Sequence, residues 1–157
     1  MIDYFPNDEA AAIAGSLIPE FHPHLIGLNI AHLSKVRPPK KKKQTKQPRL
    51  GKKITMAKTA RVPEKMRVLG ADFMFVIEYD DEIWRELSEE SRRALVDHEL
   101  AHCGNDADGV YLKHHGLEEF GEVVRRWGTW HSDILRFADE LDPKYHEAQE
   151  QKMQKMS

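Results

Sequence analysis

The stretch Ser91–Asn105, SRRALVDHELAHCGN, constrains this chain more than any other. Within it His98, Glu99 and His102 form an H-E-x-x-H. Written as an α-helix, residues four apart share a face, so His98 and His102 project together and could hold one Zn2+ between them. Glu99 is rotated away from the pair, towards a water rather than the ion, where a general base belongs. Leu95, Val96 and Leu100 supply an apolar stripe, and Ala94 and Ala101 allow close packing. Ser88 or Ser91 can cap the start, and Gly104 can end the helix. The plain alternative is an amphipathic helix with two His and one Glu on its polar side.

The 157-residue chain sets the frame for that helix. With 40% hydrophobic and 32% charged residues it reads as one globular domain with a single core. No apolar run approaches the roughly 20 residues of a membrane span. MIDYFPNDEA has neither the basic nor the apolar region of a secretory signal. The single Cys103 excludes an internal disulfide and suits a reducing compartment, so the expected location is the cytoplasm.

Charge is unevenly spread. Lys35 to Lys53 holds ten of the 24 Lys and Arg and no acid, leaving 14 basic against 26 acidic residues elsewhere. Its prolines and like charges predict a flexible basic loop over 35–53. Lys40, Lys41, Lys42 and Lys43 are candidates for nucleic-acid phosphates, so DNA is a candidate partner. A solvated linker at a hairpin tip is the alternative, since no aromatic side chain is interleaved for base stacking.

Around these features the pattern predicts an α+β domain over residues 1–141 and a polar tail over 142–157. An N-terminal helix is expected from Asn7 to Ile18, broken by Pro19 and Pro23, with His22 and His24 as surface loop residues. Leu25–Ser34 and Lys52–Val62 read as two strands, forming an antiparallel pair across the basic loop. His32 on the first is expected on the strand surface or as a satisfied core His. Pro63–Leu69 reads as a helical turn, and ADFMFVIEYD (71–80) as the strongest strand. Glu82–Leu87 reads as a short helix that turns Ile83, Trp84 and Leu87 inward. After Gly104, NDADGVYL reads as a polar loop. Lys113–Trp127 and Thr129–Leu141 follow as two helices divided at Gly128. The whole is then about a three-stranded, mainly antiparallel sheet packed on the H-E-x-x-H helix and two C-terminal helices.

A catalytic zinc needs a third protein ligand, with a fourth position open. His115, its neighbour His114, and Glu118, Glu119 or Glu122 on the following helix all remain open on spacing. Asp108 falls six after His102, but the Gly that such a motif wants at 105 is Asn105. Asp97 reads either as a group that hydrogen-bonds behind the metal ligands or as a surface acid. Cys103 reads as a small core residue, Tyr111 as a packing residue, and His131 and His146 as solvent-facing.

VDHELAHC followed by HHGLEEFGEVVRRWGTW resembles the phage metallopeptidase family. The likeness extends upstream through GKKITMAKTARV, GADFMFVIEYDDEIWREL and RRALVDHEL, covering roughly residues 20–140. The arrangement is also similar to SprT-like zinc proteases, whose third ligand is the His of an H-G-x-x-(F/W) element. Here His115-Gly116 is followed by Phe120, one residue further on. The phage family carries Asp where this chain has Gly116. The resemblance implies a compact zincin-like α+β core, Zn2+ on His98, His102 and His115, and Glu99 as the base. The implied activity is that of an endopeptidase acting on protein or peptide substrates, in the host cytoplasm if phage-encoded. DNA-associated protein substrates would suit the basic loop. The alternative from a different class is a non-catalytic, zinc-containing, nucleic-acid-binding accessory protein of phage origin.

Overall fold

The computed structural model describes residues 1–39, 55–114, 122–123 and 125–128. The chain divides into two compact units, Met1–His114 and His115–Ser157. In the second, residues 122, 123 and 125–127 are helical. The first unit carries every element named below.

β4 (Phe75–Asp80) is the spine of the sheet. Phe75, Ile77 and Tyr79 are fully buried and alternate with half-buried Val76 and Glu78, the period of two that turns one face of a strand to a core. β2 (Ile30–Val36) lies parallel on one side of β4 and β3 (Ala57–Arg61) antiparallel on the other. β1 (Asp3–Pro6) adds antiparallel to β2, giving the order β1-β2-β4-β3. The register sets His32 and Thr59 on either side of Ile77.

This arrangement corrects several sequence expectations. The strands before and after the basic stretch do not pair; β4 inserts between them. Neighbouring strands in sequence usually pair, but here the most apolar strand takes the place between them, hydrogen-bonded on both edges. The main sheet is therefore four-stranded and mixed, not three-stranded. β1 was not expected at all, because four exposed residues show no burial pattern. NDADGVYL is not a loop: β5 (Cys103–Asp106) and β6 (Gly109–Leu112) form a separate antiparallel hairpin. The Asp108 amide donates to Asp106 Oδ1 at 2.9 Å, and Gly109 takes φ 114° to close the turn. Gly104 does not end the preceding helix. It lies in β5, where a Cβ would fall 2.5 Å from the Tyr111 ring.

α1 (Asp8–Phe21) begins at Asn7, whose Oδ1 accepts from the Ala10 amide at 2.9 Å. It continues through Pro19, past the expected end at Ile18. Proline removes one helical hydrogen bond, yet the last turn is held by tertiary contacts described below. A short turn (Pro23–Leu25) leads to β2, and α2 (Glu64–Val68) leads from β3 towards β4. Asp80 caps α3 (Asp81–Glu86) through the Ile83 amide at 3.1 Å, and its other oxygen pairs with Arg37 at 3.2 Å. Arg37 is the described part of the basic stretch that makes an ion pair with the fold; Lys40–Lys43 lie outside the described residues. So do His115, His131, His146, the glutamates at 118 and 119, and most of the residues expected to form two C-terminal helices.

α4 (Glu89–Ala101) carries the H-E-x-x-H. Ser88 is its cap, as expected, with Oγ accepting from the Ser91 amide at 3.1 Å. Leu95, Val96 and Leu100 are buried, and α4 packs against α1 and β3.

His32 proves to be a core residue, hydrogen-bonded through Nδ1 to the Tyr79 hydroxyl at 3.0 Å. Burial lowers its pKa to about 4 from the usual 6.5. With the folded pKa depressed, the unfolded chain binds the proton first as pH falls below 6.5, so stability is lost between pH 6.5 and about 4. In denaturant unfolding, His32→Phe should show a stability difference between pH 7.5 and pH 5 smaller than wild type by about 2 kcal/mol.

Candidate metal centre

His98 and His102 lie one helical turn apart, and the second is the residue on which α4 ends. Their ring centroids are 5.1 Å apart with planes at 87°. One ligand atom from each of His98, Glu99 and His102 lies within 4.8 Å of the others. The i, i+4 spacing predicts the two imidazoles on one face; the Glu99 carboxylate lies close to them as well. Both imidazoles are half-buried, while Glu99 is only 5% exposed.

The backbone after α4 fixes the second imidazole. His102 Nδ1–H donates to the Lys113 carbonyl at 2.7 Å, and the Lys113 amide donates back to the His102 carbonyl at 2.7 Å. A carbonyl only accepts, so the proton sits on Nδ1 and the lone pair of the neutral ring on Nε2. Ligating histidines are oriented in this way by a second hydrogen bond. Two imidazoles with a carboxylate beside them suit a first-row divalent cation such as Zn2+.

Glu99 is the unusual group. Burial pushes its carboxyl pKa up, while the Thr59 hydroxyl and the nearby His102 pull it back. Thr59 Oγ1 donates to Oε2 at 2.5 Å and lies 3.3 Å from the Glu99 carbonyl. Thr59 was not among the sequence candidates. Its signal was faint: one small hydroxyl residue between outward-facing Lys58 and Ala60. Near Glu99, burial raises the Tyr79 phenol pKa, with the Glu99 charge adding, and pushes the Cys103 thiol up to about 12. Neither is a ready acid or nucleophile, and Cys103 is the inert core residue expected of it.

Asp97 is fully buried, which decides its open reading against a surface acid. It accepts from His22 Nε2 at 2.5 Å. His22 is itself buried, so its expected place in a surface loop is corrected: α1 runs on to Phe21 and delivers it to α4. His24 is corrected likewise. Its Nε2 donates to the Cys103 carbonyl at 2.9 Å, and Asn105 Nδ2 donates to the His24 carbonyl at 2.9 Å. Both histidines thus tie the turn after α1 to the segment that carries the cluster. His114 and Asp108 are exposed and outside the cluster, and Tyr111 covers Gly104.

The family described as "Putative phage metallopeptidase" matches residues 2–142. The chain belongs to this family. Membership in the phage metallopeptidases makes a metal-dependent protease the class of activity and proteins or peptides the class of substrate. The cluster of His98, Glu99 and His102 is a site where such a metal fits. No curated protein and no solved structure matches the chain. Among the described residues, no helix is long and apolar enough to cross a membrane.

His22→Ala removes the donor that faces fully buried Asp97. It should cost about 2–3 kcal/mol in denaturant unfolding, whereas His114→Ala should change stability by less than about 0.5 kcal/mol.

Proposed function

We propose that this phage metallopeptidase is a zinc-dependent endopeptidase in which His98 and His102 hold the ion and Glu99 is the general base. The observation that carries the reading is one hydrogen bond: His102 Nδ1 is tied to the Lys113 carbonyl at 2.7 Å, within the cluster His98, Glu99 and His102. A merely solvated polar helix face has no need of an imidazole fixed by its own backbone, nor of a carboxylate that is 5% exposed.

Two imidazoles leave a catalytic zinc one protein ligand short. We assign that place to His115 on sequence grounds. It stands thirteen residues after His102 and is followed by Gly116, as in the H-G element of SprT-like proteases. The likeness to those proteases and to a zincin core is part of this proposal.

When bound, the ion supplies Lewis-acid polarisation of the peptide carbonyl and a water reactive near neutral pH. The protein's residues do the rest. His102 is held in one tautomer by Lys113, so Nε2 is the atom that would hold the ion. Glu99 takes a proton from the attacking water and delivers it to the leaving amine nitrogen. Asp97, bonded to His22, resists rotation of the helix face that carries both histidines.

The decisive measurements are metal content and proteolysis of an unfolded protein substrate. Glu99→Gln should retain zinc at wild-type stoichiometry and lose activity by at least roughly 1,000-fold. His98→Ala and His102→Ala should lose both. His115→Ala should weaken zinc binding by roughly 10- to 100-fold or more and abolish turnover. Full activity in Glu99→Gln would remove Glu99 from the mechanism, and unchanged zinc affinity in His115→Ala would remove His115 from the ligand set.

A further inference from the structure

We propose that Thr59 is the positioning residue for Glu99: its hydroxyl clamps Oε2, so that Oε1 is the oxygen that exchanges protons with water and the leaving amine. The inference rests on the peptidase reading above. In the step it serves, Oε1 accepts a proton from the water whose oxygen bonds to the carbonyl carbon. The same proton passes to the amine nitrogen as the C–N bond breaks, and Glu99 ends ionised as it began.

The geometry is that of a charge-assisted bond. Thr59 Oγ1 and Glu99 Oε2 are 2.5 Å apart, within the range of O–H···O− contacts. Thr59 is 8% exposed and Glu99 5%, so water competes poorly for either. The hydroxyl has one proton and two acceptors in reach. The carboxylate oxygen is nearer than the Glu99 carbonyl at 3.3 Å, and it carries charge.

Thr59 is also placed to be rigid. It pairs with Ile77 in the antiparallel register of β3 and β4, and Ile77 is fully buried. Its branched side chain has few rotamers. Within β3 it is the buried position, where an apolar residue would be the default, while Lys58, Ala60 and Arg61 are exposed. A hydroxyl there gives the sheet a direct grip on the helix at one oxygen. Glu99 would otherwise have a soft terminal torsion to hold it.

The test compares full-length wild type with Thr59→Val and Thr59→Ser. The readouts are kcat and KM on casein, zinc content, and the thermal unfolding midpoint. Thr59→Val keeps the shape and loses the donor. It should keep full zinc content and wild-type KM while kcat falls on the order of 10- to 100-fold, and Thr59→Ser should restore kcat to within a few-fold. A kcat within twofold of wild type in Thr59→Val, or a Ser variant as impaired as the Val variant, would overturn the assignment.

A second readout needs no turnover. Thr59→Val should lower the unfolding midpoint in a chain that has Glu99 and leave it nearly unchanged in a Glu99→Ala background. Equal shifts in both backgrounds overturn the clamp. Should the Val variant not fold, Thr59→Ala replaces it in every arm. If wild type cleaves no casein, the peptidase reading fails, and the clamp is then decided by this cycle alone.

Discussion

A carboxylate buried to 5% exposure inside a small core is the constraint around which the described fold is arranged. Left without donors, such a group would cost several kcal/mol or take up a proton. The Thr59 hydroxyl and the neighbouring His102 offset part of that cost. Both depend on distant parts of the chain: β3 supplies the hydroxyl, and the start of the segment after β6 supplies the carbonyl that orients His102. The site therefore exists only when α4 is seated against the sheet and the hairpin that follows it has folded back.

The seating of α4 is correspondingly over-determined. Ser88 fixes its first turn. Arg92 reaches Glu9 on α1 at 2.8 Å and the Trp84 carbonyl at 2.9 Å, with its guanidinium 5.4 Å from the Trp84 ring centroid. Asp97 binds His22 at the end of α1. Leu95, Val96 and Leu100 are buried. Apolar contacts alone permit a helix to rotate or slide by small amounts. Polar contacts from residues 92 and 97 to separate partners do not, and that precision is what a metal site with fixed ligand distances needs.

Pro19 and the two histidines after it show how such contacts override local preference. The helix breaker fell where a helix of this length would otherwise stop, and the sequence around it looks like a loop. The bond from His22 to a fully buried acid on α4 rewards one more turn, so α1 extends to Phe21. The β5–β6 hairpin is the opposite case. Its Asp108-Gly109 turn signal was present in the chain. Strands of four residues each, with little burial contrast, gave periodicity nothing to detect.

What the sequence determined by itself was local and periodic. The cap at Ser88, the run of α4, the strength of β4, the short helix after it, and the convergence of His98 with His102 all follow from spacing along a single element. The tertiary structure decided everything that joins residues far apart in the chain. The parallel pairing of β2 with β4, the pair of His22 with Asp97, and the hydroxyl of Thr59 against Glu99 are of this kind. The reason is physical: periodicity records which side of an element is buried, but not which buried partner it meets. A lone threonine or histidine declares its role only when another element brings the partner to hydrogen-bonding distance.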